Sequence, residues 1–309
     1  MFIDLIFLII GLLLLTWGAD WLVKGGTSLA RRIRISPLTI GLTVVAIGTS
    51  SPELVVSLQA AHEGSGSIAI GNVIGSNICN ILLILGVAAM ISPLPVKKSL
   101  FRLDLPALLI SSVILMIVFR DLALNRLESG LLIIFTAVYF WLTLYLLRHQ
   151  AEHHEIQPED WILMNLRKSI PITIIGLALL LFGADLLLQG ARSMAVEFGW
   201  DEGVTGLLLV ALGTSLPELA AGVASSIRKQ TTLLIGTVIG SNIFNTLIIP
   251  GISFLIFPGS AELVTFINLW IMLAAGLLLL PLMFSYGRLS RLEGLLLTSC
   301  YLGYLVYLM

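Results

Sequence analysis

The sequence predicts an all-α integral membrane protein with ten transmembrane helices, arranged as two inverted-topology repeats of five. Three observations lead to this prediction: the composition, a series of long apolar segments, and a pattern that recurs in both halves. Of the 309 residues, 58% are hydrophobic and 11% are charged, and the mean hydropathy is +1.03. Because so little polar surface cannot cover a water-soluble globule, we expect the chain to lie in a lipid bilayer.

Ten apolar segments are long enough to serve as spans, since a helix needs about 20 residues to cross the hydrocarbon core. With approximate ends, they cover residues 2–23, 37–61, 66–91, 103–119, 127–147, 169–188, 203–226, 231–256, 263–284 and 292–309. The second and seventh segments combine a proline with polar residues, so we expect helices 2 and 7 to be broken. The first segment lacks a basic leader and a small-residue cleavage pattern, which favours a retained helix over a signal peptide.

The basic residues test this assignment, because cytoplasmic loops of membrane proteins are enriched in Lys and Arg. One set of alternate loops holds 14 of the 17 basic residues: Lys24, Arg31, Arg32, Arg34, Lys97, Lys98, Arg102, Arg148, Arg167, Lys168, Arg228, Lys229, Arg288 and Arg291. The opposite set holds only Arg120, Arg126 and Arg192. This bias predicts that both termini lie on the extracytoplasmic side.

A constant difference in residue number, here called the repeat offset, relates the two halves of the chain without a gap. The matching pairs include Gly11 and Gly176, Asp20 and Asp185, Glu53 and Glu218, Asn80 and Asn245, and Pro93 and Pro258. Each copy has five spans, and because five is odd, the second copy enters the membrane from the opposite face. We therefore assign a first repeat at 1–147, a cytoplasmic linker at 148–168 and an inverted second repeat at 169–309. Inverted repeats with matching polar interruptions are typical of secondary transporters.

The motif GTSSPEL, residues 48–54, places polar groups deep within the second apolar segment. Thr49 and Glu53 are four residues apart and share a helix face, with Ser50 beside them. Pro52 has no N–H to donate and crowds the preceding turn, so we expect backbone oxygens near Ala46, Gly48 and Thr49 to be freed. Oxygens inside lipid need a partner, and Na⁺ and Ca²⁺ prefer carboxylate, carbonyl, hydroxyl and amide oxygens.

A second motif, GNVIGSNICN at residues 71–80, follows on the third apolar segment. Ser76 and Asn80 share a face of this helix, while Gly71 and Gly75 allow a neighbouring helix to approach closely. GTSLPEL and GTVIGSNIFN repeat both motifs in the second half. The equivalent residues there are Ala211, Thr214, Ser215, Pro217, Glu218, Ser241 and Asn245.

The charge of the two glutamates further favours an ion site. A carboxylate at the bilayer centre costs about 3 kcal/mol on insertion scales, so we expect Glu53 and Glu218 to be accompanied by a cation or a proton. Two converging carboxylates are neutralised by one Ca²⁺, by two Na⁺ or by two protons. These ions are therefore alternative occupants of one pocket, which is what an exchange process requires.

The paired motifs resemble the α-repeats of the cation/calcium exchanger superfamily, in particular its sodium/calcium exchanger branch, and the chain looks like a compact prokaryotic member. The resemblance implies exchange of Ca²⁺ for Na⁺ by alternating access in a prokaryotic (inner) cell membrane, with Glu53 and Glu218 as central ligands. The further ligands that it implies are Ser50, Ser76, Ser215, Ser241, Thr49, Thr214, Asn80, Asn245 and the carbonyls of Ala46 and Ala211. It also implies that helices 1 and 6 slide as a gate.

One departure concerns Asn245, where some relatives, including potassium-dependent ones, carry Asp. This chain therefore lacks a third carboxylate at the site. Its absence weakens the case for K⁺ dependence and leaves open how many Na⁺ ions are exchanged for each Ca²⁺. Several of these residues could instead have a purely structural role. Any single serine of the motifs could serve helix packing, and Asp20 and Asp185 fit interfacial solvation or a helix contact. The cluster from His149 to Asp160 fits a solvated loop better than a zinc site.

Other functions fit the sequence less well. A proton-coupled calcium antiporter would use the same two glutamates, whereas a channel would need a continuous pore. An intramembrane metal-dependent enzyme would need a histidine or nucleophile near the glutamates, but all four histidines lie in or beside loops. The net charge of −1 suggests no nucleic-acid partner, and Cys79 and Cys300 suggest neither a disulfide framework nor a metal cluster. We expect no cofactor and no obligatory protein partner.

Overall fold

The computed structural model describes residues 2–32, 36–96, 98–150, 164–197, 213–262, 264 and 266–308, and these residues are almost entirely helical. The helices are α1 (Phe2–Arg32), α2 (Pro37–Ile40), α3 (Ala46–Thr49), α4 (Ser51–His62), α5 (Gly66–Ile78), α6 (Leu85–Ile91), α7 (Asp104–Val118), α8 (Arg126–Gln150), α9 (Leu166–Glu197), α10 (Leu216–Ile227), α11 (Thr231–Ile256), α12 (Phe266–Tyr286) and α13 (Arg291–Leu308). Two π-helical turns, Gly41–Val45 and Cys79–Ile84, and a 3₁₀ turn, Lys98–Phe101, complete the helical structure.

Within the described ranges, six helical segments are long and apolar enough to cross a membrane. They are Ile3–Ala30, Gly66–Ile91, Arg126–Thr143, Leu166–Gly190, Thr231–Ile256 and Phe266–Phe284. A seventh span arises if Pro37–Thr49 and Ser51–His62 are taken together, since they bend by 45° at a short break. The prediction of an all-α membrane protein is confirmed, and the predicted break in helix 2 lies at Ser50. Only part of predicted segment 203–226 lies within the described residues.

The helix bounds reproduce the repeat offset found in the sequence. The range of α4, Ser51–His62, maps onto that of α10, Leu216–Ile227. The stretch from α5 to α6, Gly66–Ile91, maps onto α11, Thr231–Ile256. Pro52 and Pro217 each stand in the first turn of their helix, where a missing N–H leaves no bond unmade. The repeated sequence therefore folds into repeated local structure.

Two short antiparallel ladders join the halves. Strand β1 (Leu94–Pro95) pairs with β4 (Arg288–Leu289), and β2 (Ala123–Leu124) pairs with β3 (Gly259–Ser260). The repeat offset relates β1 to β3 and β2 to β4. It therefore relates the β1–β4 ladder to the β2–β3 ladder. Each strand thus pairs with a strand of the opposite half.

Helices α5, α6 and α11 form the centre of the molecule. Within the apolar window of each span, 89% of the residues of α11 and 72% of those of Gly66–Ile91 are buried. The windows in α1, α8 and α9 are only 28–33% buried, which leaves most of their surfaces for lipid. The central helices carry the second motif of each half, so its polar side chains lie in the protein interior.

Helices α1 and α9 pack directly against each other as an antiparallel pair. A Cβ atom built on Gly18 would lie 2.8 Å from the carbonyl oxygen of Gly176, and one built on Gly183 would lie 2.9 Å from that of Gly11. Such distances leave no room for a side chain, so the two backbones are in contact. Apolar residues of this pair form a cluster separate from the main core.

Two predicted helix ends need correction. Helix α1 continues to Arg32, beyond the predicted end of the first span at residue 23, and α9 continues to Glu197, beyond the predicted end at residue 188. The additional turns of α1 are covered by protein, since Thr27, Ser28 and Ala30 are buried. A prediction from hydropathy places the end of a helix where the apolar segment ends. The helix itself can continue further where tertiary contacts stabilise it.

Candidate functional site

Glu53 and Glu218 meet in the interior, where they are 0% and 1% exposed. Each follows a break in its helix by three residues, at Ser50 and Ser215. The two serines share the same non-helical backbone, with φ −81° and ψ 10° at Ser50 and φ −89° and ψ 5° at Ser215. Each carboxylate reaches the serine at the break of the opposite half. The predicted convergence of the glutamates is therefore observed.

The serines at the breaks bind the carboxylates crosswise. The hydroxyl of Ser50 donates to Oε1 of Glu218 at 3.0 Å, and that of Ser215 donates to Oε1 of Glu53 at 3.3 Å. Each serine thus holds the glutamate of the opposite half. Both second carboxylate oxygens, Oε2 of Glu53 and Oε2 of Glu218, have no hydrogen-bond partner among the described residues.

Three residues of the second motif add buried oxygens without partners. Ser76, Asn80 and Asn245 are all 0% exposed. Among the described residues nothing donates to Oγ of Ser76, Oδ1 of Asn80 or Oδ1 of Asn245. A single buried oxygen without a hydrogen bond costs about 1–3 kcal/mol, so several of them on the central stretches 66–91 and 231–256 favour a ligand that oxygens can coordinate. Among the described residues, Nδ2 of Asn242 and Nδ2 of Asn245 have no partner either. Ca²⁺ accepts about six to eight oxygen ligands, and amide and carboxylate oxygens are among those it prefers.

The remaining predicted serines flank this group. Ser76 lies beside the carboxylate of Glu53 and Ser241 beside that of Glu218, although Ser76 does not reach hydrogen-bonding geometry. Ser241 also lies 3.5 Å from the carbonyl oxygen of Ala46. Both serines are fully buried. They extend the polar surface of the site from the central helices towards the helix breaks.

The carbonyl of Ala46 differs from the expectation that the helix break frees it. The carbonyl of Ala46 accepts from the backbone N–H of Ser50 at 3.0 Å, so the break does not leave this oxygen free. The chain keeps its helical bond there because Pro52 removes only its own N–H. Thr49 donates to Val45 of its own helix at 3.1 Å. Ala211 lies outside the described residues.

Sequence reasoning overlooked three asparagines that surround the site. Asn80 donates its amide to Oδ1 of Asn242 at 3.2 Å, and Asn77 donates to Thr246 at 2.7 Å. Asn72 contacts both halves of the site and is described below. Asn77 and Asn242 are related by the repeat offset and directly follow the serines of the second motif. The repeated letters GSN were therefore a signal that could have identified them.

The peripheral acids behave as the sequence suggested. Asp20 of α1 forms ion pairs with Lys24, at 2.7 Å, and with Arg228 beyond α10. Asp185 is exposed and accepts a hydrogen bond from Gln189. Both are helix contacts outside the buried site. The part of the acidic and histidine cluster at 151–160 lies outside the described residues. Within the described ranges, no group of three or more His, Cys, Asp or Glu residues could hold a metal.

Comparison with known proteins shows the family to which the chain belongs. The family model described as sodium/calcium exchanger protein matches residues 3–145 and 168–309. Sodium/calcium exchanger MaX1 of Methanosarcina acetivorans is 31% identical, covering 99% of this chain and 98% of that protein. Inner membrane protein YrbG of Escherichia coli is 38% identical, over 82% of this chain and 80% of that protein. A more distant relative, Ca(2+)/H(+) antiporter ChaA of Bacillus subtilis, is 23% identical, over 85% of this chain and 81% of that protein.

Solved structures extend the comparison to the fold. A structure of the sodium-calcium exchanger NCX_Mj superimposes with a TM-score of 0.86 at 32% identity, covering 98% of both chains. The match includes both repeats and the helices that carry the crossed glutamates. The expectation from the paired motifs is thereby confirmed: the chain belongs to the sodium/calcium exchanger protein family, as a prokaryotic cation/calcium exchanger.

Proposed function

We propose that this chain is a secondary active antiporter that exchanges Ca²⁺ for Na⁺ by alternating access at a site between Glu53 and Glu218. The observation that supports this proposal most directly is the two crossed carboxylates together with buried oxygens of the second motif that have no hydrogen-bond partner among the described residues. These oxygens belong to Glu53, Glu218, Ser76, Asn80 and Asn245. Their chemistry suits hard cations, which here are the transported substrates.

Electrostatic balance explains why such a site would exchange ions. Two buried carboxylates carry a charge of −2, and leaving them uncompensated inside a membrane is strongly unfavourable. One Ca²⁺ or two Na⁺ restore neutrality, and both use the same oxygens. Occupancy by one ion type therefore excludes the other. Asn245 adds an oxygen but no charge, so we infer no K⁺ requirement.

We propose the full architecture of ten transmembrane helices in two inverted repeats, at 1–147 and 169–309, joined by a cytoplasmic linker at 148–168. Both termini would lie on the extracytoplasmic side of the cell (inner) membrane. The reciprocal strand pairing, the antiparallel contact of α1 with α9 and the repeat offset support inverted repeats. The loop charges support the orientation.

We propose that α1 and α9 slide across the remaining helices to open the site to each side in turn. The separate apolar cluster of this pair and its contact through glycines suit such a movement. The two helices also differ in their environments. Ser28 of α1 is buried, and Thr27 contacts Gln230 at 3.4 Å, whereas the offset-related Ser193 of α9 is exposed. This asymmetry is what one state of an alternating transporter requires.

Proton coupling is the second candidate function. The relative ChaA is named a Ca(2+)/H(+) antiporter, and a buried carboxylate pair could exchange Ca²⁺ for two protons as well as for two Na⁺. In that case the same oxygens would bind Ca²⁺, but Na⁺ would have no effect. The two candidates therefore differ in the driving gradient alone.

Uptake of ⁴⁵Ca²⁺ into proteoliposomes tests both candidates in one experiment. For Na⁺ coupling, an outward Na⁺ gradient drives uptake at constant pH, and a pH step in Na⁺-free buffer does not. Glu53→Gln and Glu218→Gln should each abolish uptake, whereas Glu63→Gln, at an exposed carboxylate that follows α4, should retain it. Uptake that ignores both gradients would refute an antiporter of either kind.

A further inference from the structure

We propose that Asn72 is a positioning residue that ties the two halves of the ion site together and thereby favours Ca²⁺ over Na⁺. The inference rests on the proposed exchange function for the identity of the ions. Asn72 lies on α5 and is only 4% exposed. It contacts the helix that carries Glu53 and also the helix break of the opposite half.

Three hydrogen bonds define the position of this side chain. Its Nδ2 donates to the backbone carbonyl of Glu53 at 3.1 Å and to Oγ of Ser57 at 3.0 Å. Its Oδ1 accepts from Oγ1 of Thr214 at 3.2 Å. Ser57 in turn donates to the carbonyl of Ala69 at 3.1 Å. The bridge therefore joins α4 and α5 of the first half to Thr214 of the second.

The chemistry of these partners fixes the orientation of the amide. The carbonyl of Glu53 can only accept a hydrogen bond, so the NH₂ group of Asn72 must face it. Both N–H groups are then used, and Oδ1 is directed at Thr214. An amide committed in this way is a poor ion ligand. Asn72 acts instead by holding Glu53 and Thr214 at a fixed separation.

The bridge occurs in one half only, although the motifs are repeated. The residue related to Asn72 by the repeat offset is Thr237, and its hydroxyl bonds to Leu233 of its own helix at 3.0 Å. Gly222 stands where Ser57 would be, and Thr49 bonds within its own helix. The segment of Glu53 is therefore held against the opposite half, whereas that of Glu218 lacks the equivalent bridge among the described residues.

This asymmetry has different consequences for the two ions. A single Ca²⁺ is neutralised only when both carboxylates converge on it, so its binding depends on their separation. Two Na⁺ can each use one carboxylate, and a change in separation costs them less. Loss of the bridge should consequently weaken Ca²⁺ binding more than Na⁺ binding.

The test is a double-mutant cycle on Asn72→Thr and Thr214→Val, measured as the half-saturating concentrations of Ca²⁺ and Na⁺ and the maximal exchange rate. Asn72→Thr copies the residue of the other half. We expect it to raise the half-saturating Ca²⁺ concentration at least about tenfold, because all three hydrogen bonds of the bridge are disturbed, and the Na⁺ value less than about threefold. The double variant should be weakened by less than the sum of the two single effects, because both substitutions remove the bond between Asn72 and Thr214. The control, Thr237→Val, removes a bond within one helix and should leave both constants unchanged.

Several outcomes would overturn the proposal: additive effects in the cycle, equal shifts for both ions, or a shift in Thr237→Val as large as in Asn72→Thr. If Asn72→Thr fails to fold, Ser57→Ala provides the test, because it removes one acceptor of the bridge and should raise the Ca²⁺ constant about threefold. An unchanged constant there would also contradict it. If the parent protein shows no Na⁺-dependent uptake, the proposed function is refuted. If the parent exchanges normally and Asn72→Thr behaves like the parent, only this inference is refuted.

Discussion

The hydroxyl of Ser50 donates a 3.0 Å hydrogen bond to the carboxylate of Glu218, which belongs to the opposite half of the chain. Ser215 and Glu53 repeat the arrangement at 3.3 Å. Each carboxylate is thus held at one oxygen by the other half, while its second oxygen has no partner among the described residues. In the proposed site, the two remaining carboxylate oxygens would coordinate a shared ion.

Ser50→Ala and Ser215→Ala should each raise the half-saturating Ca²⁺ concentration about tenfold, since each leaves a buried carboxylate oxygen without its donor. The measurement is ⁴⁵Ca²⁺ uptake as a function of external Ca²⁺. Ser51→Ala is a matched control, because among the described residues the Ser51 hydroxyl donates to the carbonyl of Ile47, across the helix break, and not to a carboxylate. Equal effects at Ser50 and Ser51 would contradict a specific role for the crossed bonds.

Asn245→Asp should increase the number of Na⁺ ions that act together in exchange. The substitution adds a third buried carboxylate, and a charge of −3 needs one more monovalent cation for neutrality. The Hill coefficient for Na⁺ should therefore rise above that of the parent protein. Asn125→Asp adds the same charge at an exposed helix cap, where Asp caps as well as Asn. Should the Na⁺ dependence of Asn245→Asp match the parent curve, Asn245 would lie outside the site.

Gly18→Val should reduce exchange by more than about tenfold, because its new Cβ would lie 2.7 Å from the backbone nitrogen of Leu180. The two helices would have to separate, and the contact proposed to slide would be lost. Initial rates of Na⁺-driven uptake measure the effect, with protein amount corrected by gel filtration. Gly303→Val, at an exposed position of α13, is the control. Normal exchange in Gly18→Val would rule out a tight contact between α1 and α9 as part of the mechanism.

Asp20→Asn should loosen the contact between α1 and the end of α10 by removing the ion pair with Arg228. Thr27 lies near this contact and is buried. A cysteine introduced as Thr27→Cys should therefore react faster with a polar maleimide when Asp20→Asn is also present. Lys24→Gln breaks the other, more exposed ion pair of Asp20 and should change the labelling rate less. Equal labelling rates with and without Asp20→Asn would show that the pair does not hold α1 in place.

The sequence was sufficient to predict the central helices and the burial of Glu53 and Glu218. The segments 66–91 and 231–256 agree with the observed helices because both are strongly apolar between polar ends. The spacing of Thr49, Ser50 and Glu53 likewise indicates a shared face. Nothing local, however, could reveal that Ser50 bonds to Glu218 or that Asn72 reaches Thr214, since these contacts join residues far apart in the chain. The retained bond at Ala46 is local, because Pro52 removes only its own N–H and the N–H of Ser50 still reaches the Ala46 carbonyl.

Equilibrium binding of ⁴⁵Ca²⁺ to the purified protein measures the proposed site without the transport step. A single site between the two carboxylates should bind one Ca²⁺ per chain, which Na⁺ displaces. Glu53→Gln and Glu218→Gln should each abolish this binding, and Glu63→Gln should leave it intact. Binding that survives either glutamate substitution, or that Na⁺ cannot displace, would contradict a single shared site between the two carboxylates.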